Sequence, residues 1–492
     1  MAATVTSRAG VRVLANYIGG QWRPAHTTEA VEDRDPATGE LLARIPLSTV
    51  EDVDLAARAA RRAHTQWREV SPQQRARAIM RLRDVLDAHR AELAELVSRD
   101  MGKTLQDATG EVGRGIESCE AAIGTPHLIK GETLEGVARG VDVELVRQPV
   151  GVVTAITPFN FPAMIPLWFL PYAVAAGNAF ILKPSEQDPL AGERIIELTS
   201  SIDAFPAGLI NLVHGAHETV NALLDHRGID AISFVGSAQV AGAVARRGVA
   251  SGKRVQALGG AKNAMVVMPD ADPDLVNSGV LGSAFGAAGQ RCLAGSLLVL
   301  VGTEAEQDAA RDRIVAAASR LRVGPGLDPE TDVCPLVSRA ARERLVAELE
   351  AAEADGVRVV LDGRGDAGPG GCLLGPTILD EIPAGHRVLE EELFGPVLSI
   401  VRAPDLGAGI EAVNSSRYGN ASVIFTESGR AAREYRHRVE AGMVGVNVGV
   451  AAPVAWFPFS GWKDSIVGDL HSNGRDAIEF YTRKKVVTSR WA

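Results

Sequence analysis

Apolar positions recur at helical spacing across residues 49–101, with Glu51 and Asp52 near one start and Ser71-Pro72 opening the next helix. A different pattern begins at Val150. The run Gly151-Val-Val-Thr-Ala-Ile156 is apolar apart from one threonine, and helical spacing follows it after a turn. A short run of this kind reads as a strand covered on both faces. Similar runs return at 179–182, 209–213 and 231–235. Strands separated by helical stretches predict a doubly wound parallel sheet, the frame of a nucleotide-binding unit. The rhythm restarts after Lys262, at 264–268, 297–301 and 357–361, which predicts a second α/β unit. Residues 141–147 and 477–487 alternate cleanly outside both units and are expected to be two strands of a small β excursion used for pairing between subunits. The expected organisation is a nucleotide-binding domain over 1–129 and 150–259, a catalytic domain over 260–468, and oligomerisation strands at 130–149 and 469–492.

Two segments imitate other structures. Residues 161–182 are mostly apolar, as a membrane span is, but Pro162, Pro166, Pro171 and Asn178 interrupt them. A buried turn and helix is expected instead, and no membrane segment. Gly363-Arg-Gly-Asp-Ala-Gly368 is a literal GxGxxG after an apolar strand. The dinucleotide reading needs a following helix whose N-terminus receives the pyrophosphate. Pro369-Gly370-Gly371 follows, so the segment reads as a surface loop.

A length of 492 residues suggests two or three domains, on a prior of roughly 150 residues each. The net charge of −10 excludes the basic footprint that nucleic-acid binding requires, while small anionic ligands need only one or two local arginines. Cys119, Cys292, Cys334 and Cys372 are too few and scattered for a disulfide framework. His214 and His217 have no cysteine, histidine or acidic cluster beside them, so no metal site is expected. A reduced, cytoplasmic protein fits this cysteine usage. The tail up to residue 15 lacks the apolar core of a signal peptide. Arg8 and Arg12 without acids faintly resemble a transit peptide, yet Tyr17-Ile-Gly-Gly-Gln-Trp22 already reads as the first hairpin of a folded domain.

The segment richest in chemistry is Phe285-Gly-Ala-Ala-Gly-Gln-Arg-Cys292. A cysteine by itself is more often a packed small hydrophobe than a nucleophile. Here the glycines let a substrate approach the backbone, and the Cys292 N–H can face a developing oxyanion. Arg291 is expected to favour the thiolate. Cys119 sits in a helical pattern beside Glu120, and Cys334 and Cys372 lack comparable neighbours, so Cys292 is the candidate nucleophile.

Five motifs make the chain resemble the aldehyde dehydrogenase superfamily over roughly residues 16–488: Thr157-Pro-Phe-Asn-Phe-Pro162, Leu182-Lys-Pro-Ser-Glu186, Phe234-Val-Gly-Ser237, Gly289-Gln-Arg-Cys292 and Glu391-Glu-Leu-Phe-Gly-Pro396. Each is weak alone; five in family order are specific. Gly259-Gly-Ala-Lys-Asn263, Phe457-Pro-Phe-Ser-Gly-Trp-Lys463 and the ending Asp476-Ala-Ile-Glu-Phe-Tyr-Thr-Arg-Lys-Lys-Val-Val487 resemble the methylmalonate-semialdehyde dehydrogenases, the CoA-acylating branch. The resemblance implies that Cys292 attacks the aldehyde, that Asn160 and the Cys292 N–H hold the oxyanion, and that hydride passes to NAD, leaving a thioester. It implies cofactor contacts from Thr157, Phe159, Lys183, Glu186, Gln187, Gly236, Ser237, Gly259, Glu392 and Phe394. Lys183 and Glu186 would meet the adenosine ribose, Glu392 the nicotinamide ribose, and Phe394 the nicotinamide. A carboxylate at the 2′-hydroxyl repels a 2′-phosphate, so NAD is expected over NADP. Arg114 and Arg291 match the branch's pair for a substrate carboxylate, which guanidinium groups can grip in a bidentate fork. That implies a 3-oxo acid such as malonate or methylmalonate semialdehyde, and a homo-oligomer, a tetramer. Trp168, Phe169, Trp456 and Phe457 are expected near the pocket.

Two positions depart from relatives. Ala241 stands where the superfamily usually has glycine, which puts helix packing against the cofactor phosphates in doubt. Hydrolytic members carry a glutamate four residues before the lysine matched by Lys262; this chain has Leu258, which cannot accept a proton. Acyl transfer to CoA is therefore expected, and the resemblance implies that the β-carboxy thioester first loses its carboxylate, giving acetyl-CoA or propionyl-CoA. A hydrolytic dehydrogenase releasing a free acid, and a non-catalytic nucleotide-binding protein on the same scaffold, stay open as alternatives.

Overall fold

Helix starts follow the capping residues. The computed structural model describes residues 5–6 and 11–491. The Asp52 carboxylate accepts the Thr49 N–H at 2.9 Å where Val50–Trp67 begins, and Ser71 with Gln74 caps Pro72–Ala88. Arg90–Met101 and Leu105–Ile123 complete this helical group. Its alanine-rich inner faces share one core with an eight-stranded sheet.

That sheet runs, in spatial order, Ile466–Val467, Arg254–Gly259, Ala231–Gly236, Val152–Ile156, Ala179–Lys183, Ile210–Leu212, Asn16–Ile18 and Gln21–Arg23. The five strands from Arg254–Gly259 to Ile210–Leu212 are parallel. The order reverses between Val152–Ile156 and Ala231–Gly236, and ligands of open α/β sheets bind in the crevice beyond such a reversal. Residues 157–160 and Ser237 leave the sheet at that point. The first hairpin is as expected, with Gly19 and Gly20 at φ 65° and 84°, the two left-handed residues that a tight hairpin turn requires.

A seven-stranded sheet holds the second half, in the order Arg358–Leu361, Thr377–Asp380, Val397–Ala403, Gly295–Val301, Asn263–Val267, Ala421–Phe425 and Met443–Val446. All its neighbours are parallel except Arg358–Leu361, which joins the edge antiparallel. The glycine-rich segment after that strand forms turns and no helix, so the GxGxxG there presents no helix N-terminus.

The apolar stretch at 161–182 is a helix, Met164–Ala175, buried on every side, followed by the strand Ala179–Lys183. Among the described residues no helix is long and apolar enough to cross a membrane. Arg12 lies on a short strand and pairs with Glu193; Arg8 lies outside the described residues. The hairpin Ala30–Arg34 and Leu41–Pro46 has no counterpart in the sequence reading.

One expectation fails in detail. Residues 477–487 are not one strand: Gly474–Tyr481 is a helix and Thr482–Arg490 the strand. Ala477, Ile478 and Tyr481 bury one helical face, and the Tyr481 hydroxyl meets Ser233 at 2.8 Å inside the first core. Burial against Met164–Ala175 overrode a pattern that alternation and helical spacing both fit. The strand pairs antiparallel with Val141–Pro149, and Glu132–Ala138 forms an edge exposed along its whole length.

Candidate active site

The chain reaches Cys292 through an uncommon turn. Helix Pro273–Ala284 ends, and Ala287, Ala288 and Gly289 then take left-handed φ values of 50°, 52° and 68°. Two alanines in that region cost about 1–2 kcal/mol each. Asp107 accepts the Ala287 N–H at 3.1 Å and helps to hold the turn. The Cys292 carbonyl accepts the side-chain amides of Asn263 at 2.8 Å and Asn420 at 2.7 Å. Asn263 also donates to the Ala294 carbonyl and accepts the Ala421 N–H, so the backbone at the nucleophile is tied to two neighbouring strands of the second sheet. Sequence reasoning missed both asparagines as site residues. Asn263 stood inside a quoted motif, but nothing local says that its amide reaches 29 residues onward.

Cys292 is partly exposed, whereas Cys119, Cys334 and Cys372 are buried. Two cavities meet at it. One, of about 510 Å³, is lined by Phe159, Asn160, Gln187, Gly236, Ser237, Leu258, Gly259, Glu392 and Phe394. The other, of about 410 Å³, is lined by Lys103, Glu111, Arg114, Phe161, Met164 and Arg291. Trp168 and Phe459, with ring centroids 4.7 Å apart, border both. Trp168 is where it was expected. Phe169 is buried in the core, and Trp456 and Phe457 point outward, so Phe459 takes the place given to them. Thr157, Lys183 and Glu186 stand at or just beyond the carboxyl ends of the central strands Val152–Ile156 and Ala179–Lys183, outside either lining: the Thr157 N–H meets the Lys183 carbonyl at 3.1 Å, and Lys183 pairs with Glu186 at 2.7 Å.

The wider cavity has the features that a dinucleotide needs. Ser237 caps helix Ala238–Ala250, whose N-terminus therefore opens on the cavity. A Cβ on Gly259 would lie 2.3 Å from the Gly236 carbonyl oxygen, so only glycine fits. Ala241 is buried and its N–H meets the Ser237 carbonyl at 2.8 Å, so the extra methyl is accommodated in a regular helix. Phe394, at φ 58°, meets Phe159 edge-on with centroids 5.7 Å apart.

Burial, and then the Glu392 carboxylate, push the Cys292 thiol up to about 12, outweighing Arg291 and Lys103. Arg291 pulls the thiol down, the direction expected of it, but that pull is smaller than the effect of burial. Arg291 donates to the carbonyls of Gly282 and Ser283 at the end of the preceding helix, and Gly286 leaves the room its guanidinium occupies. Arg114 binds Glu117 and the Pro453 carbonyl, each at 2.7 Å. Burial raises Glu392 to about 7, against the Ala261 N–H and the neighbouring Lys262. Leu258 faces the same cavity, and among the described residues no carboxylate other than Glu392 lines it.

A partly exposed cysteine at the meeting of a nucleotide-shaped crevice and an arginine-lined pocket restricts the family sharply. The sequence pattern of the Aldehyde dehydrogenase family matches residues 22–487. The chain belongs to that family. It is 49% identical over 481 residues to malonate-semialdehyde dehydrogenase 1 of Geobacillus kaustophilus (strain HTA426), covering 97% of this chain and 98% of that one. Among solved members of the family, it matches methylmalonate-semialdehyde dehydrogenase of Oceanimonas doudoroffii with a TM-score of 0.94 and 41% identity, covering 98% of each chain. A Sinorhizobium meliloti 1021 protein, provisionally assigned the same activity and solved in complex with NAD, gives a TM-score of 0.95 at 41% identity, again over 98% of each chain.

Proposed function

We propose that this aldehyde dehydrogenase oxidises malonate or methylmalonate semialdehyde with NAD and passes the acyl group to coenzyme A, with loss of the carboxylate. One observation carries the reading: the space around Cys292 has two arginines on one side and Leu258, where hydrolytic members have glutamate, on the other. The malonate- and methylmalonate-semialdehyde dehydrogenases that the chain is similar to support the substrate class.

NAD would be held by Phe159, Gln187, Gly236, Ser237, Gly259, Glu392 and Phe394 in the wider cavity, with Thr157, Lys183 and Glu186 at its edge. When bound, it supplies the hydride acceptor. Arg114 and Arg291 grip the substrate carboxylate by charge-assisted hydrogen bonds. The Cys292 sulfur, its proton lost to water, bonds to the aldehyde carbon, and the carbonyl pair moves onto oxygen. The Asn160 amide and the Cys292 N–H hold that oxyanion. Loss of hydride from the same carbon re-forms the carbonyl as a thioester on Cys292. In the β-carboxy thioester the bond to the carboxylate breaks as CO₂ leaves; its electron pair passes into the thioester oxygen, again held by Asn160, and water protonates the carbon. The CoA thiol then displaces the Cys292 sulfur, which regains a proton. Leu258 offers no base for water, whereas a thiol nucleophile needs less help. A homo-oligomer paired through the three-stranded sheet, a tetramer, belongs to the same proposal and is supported by the exposed edge Glu132–Ala138; a cytoplasmic location is proposed with it, on the cysteine usage alone.

The test is NADH formation from each semialdehyde with and without CoA, with the acyl product identified. A burst followed by slow turnover without CoA, and acetyl-CoA or propionyl-CoA with it, is expected. Equal rates with free acid as the only product would establish a hydrolytic enzyme instead.

A further inference from the structure

The arginine-lined cavity contains a buried ion pair that the chemistry above does not use. Lys103 Nζ lies 2.5 Å from Glu111 Oε2, with the two side chains 1% and 0% exposed. The same ammonium stands 3.7 Å from the centre of the Phe161 ring. The other Glu111 oxygen accepts the backbone N–H groups of Ala163 at 2.8 Å and Met164 at 3.1 Å. Those N–H groups open the helix Met164–Ala175, which has no side-chain cap of its own. In an apolar surrounding they would otherwise be orphaned, and a carboxylate there also meets the positive end of the helix dipole. Removing two charges from water is costly, and a well-packed apolar pair is often the more stable choice. Packing alone therefore does not account for this pair.

Asn160 precedes Phe161 directly and Ala163 by three residues. The segment is thus gripped from two sides, the Phe161 ring under an ammonium and the Ala163 and Met164 amides on a carboxylate. Glu111 lies on helix Leu105–Ile123, which carries Arg114 about one turn further on, and Lys103 stands two residues before that helix begins. We propose that Lys103 and Glu111 are positioning residues for the oxyanion donor, fixing the turn from Asn160 to Met164 so that the Asn160 amide stays aimed at the carbon attacked by Cys292. The inference rests on the reading of Asn160 as that donor. Through Glu111 it ties the oxyanion donor to the helix that carries Arg114, one of the two arginines of the carboxylate grip, so part of the spacing between the two ends of a 3-oxo acid is set by that element.

The test is the pre-steady-state rate of NADH formation with malonate semialdehyde and with propanal, in Glu111→Gln, Asn160→Ala and the double variant. Glutamine keeps an acceptor for the two N–H groups and removes the charge that holds Lys103. Glu111→Gln should slow the burst by roughly 10- to 100-fold for both aldehydes, with KM changed less than about threefold, because a misplaced oxyanion donor is lost to the transition state. In the Asn160→Ala background the same change should cost less than about threefold, since nothing remains to position. If Glu111→Gln does not fold, Phe161→Leu, which removes only the ring beneath the ammonium, is read in the same cycle. Losses that multiply in the double variant would overturn the proposal. A loss confined to malonate semialdehyde would overturn it too, and would make the pair part of carboxylate recognition. An Asn160→Ala enzyme with an undiminished burst would instead overturn the oxyanion reading, a separate failure.

Discussion

Restoring a carboxylate at position 258 tests whether its absence selects the acyl acceptor. Leu258 is 4% exposed, lies on Arg254–Gly259 between Val235 and Ile466, and faces the cavity that Cys292 enters. Leu258→Glu forfeits about 2 kcal/mol of apolar burial. It also places an acid in the cavity that Glu392 lines, and burial already raises Glu392 to about 7. The same burial and the like charge should lift the new carboxyl above neutrality. A group one pH unit below its pKa is about one-tenth ionised, so general-base help of ~10²–10⁴-fold is trimmed to ~10–10³-fold at pH 7. The gain should grow about tenfold per pH unit until the carboxyl is ionised. The assay is the post-burst rate of NADH formation from malonate semialdehyde without CoA, between pH 6 and 9, on enzyme freed of bound CoA. The variant should release free acid at this increased, pH-dependent rate. A folded, NAD-binding variant that gains nothing at pH 9 would refute the reasoning, as would a parent enzyme equally fast without CoA.

Three further outcomes follow from the site. Cys292→Ala should abolish NADH formation while leaving NAD affinity nearly intact, because Cys292 is only one of many residues lining the wider cavity; turnover within tenfold of the parent would redirect attention to the other cysteines. Arg114→Leu should raise KM for the semialdehyde acids far more than for propanal, by ~1.5–3 kcal/mol or roughly one to two decades in kcat/KM; because Arg114 also holds the Pro453 carbonyl, equal losses for both aldehydes would make it a tether and not a recognition group. Burial and Glu392 keep Cys292 protonated at neutral pH, so its alkylation by iodoacetamide should rise about tenfold per pH unit from 7 to 9; Glu392→Gln removes a charge that opposes the thiolate once Glu392 is ionised and should speed alkylation at pH 9, and an unchanged or slower rate there would refute the electrostatic account.

The chemistry carried by contiguous residues was legible in the sequence, because it is local. A strand buried on both faces must be apolar throughout, so Val152–Ile156, Ala179–Lys183 and Ala231–Gly236 announced the doubly wound sheet. The glycine-rich approach to Cys292, and the leucine at 258, needed only their own neighbours and the family pattern. Other features came from residues far apart in the chain, and these only the tertiary structure decided. Alternation could not tell that Gly474–Tyr481 would coil before the strand begins, since burial against Met164–Ala175 made that choice. Four aromatics were equally plausible pocket walls until packing turned Trp168 inward, sank Phe169 into the core and left Trp456 and Phe457 outside. The carbonyl of the nucleophile is held by amides 29 and 128 residues away, and the turn after Asn160 by a carboxylate 52 residues before it. Hydrophobic periodicity records which face of an element is buried; it carries no record of which polar group, folded in from elsewhere, will meet it there.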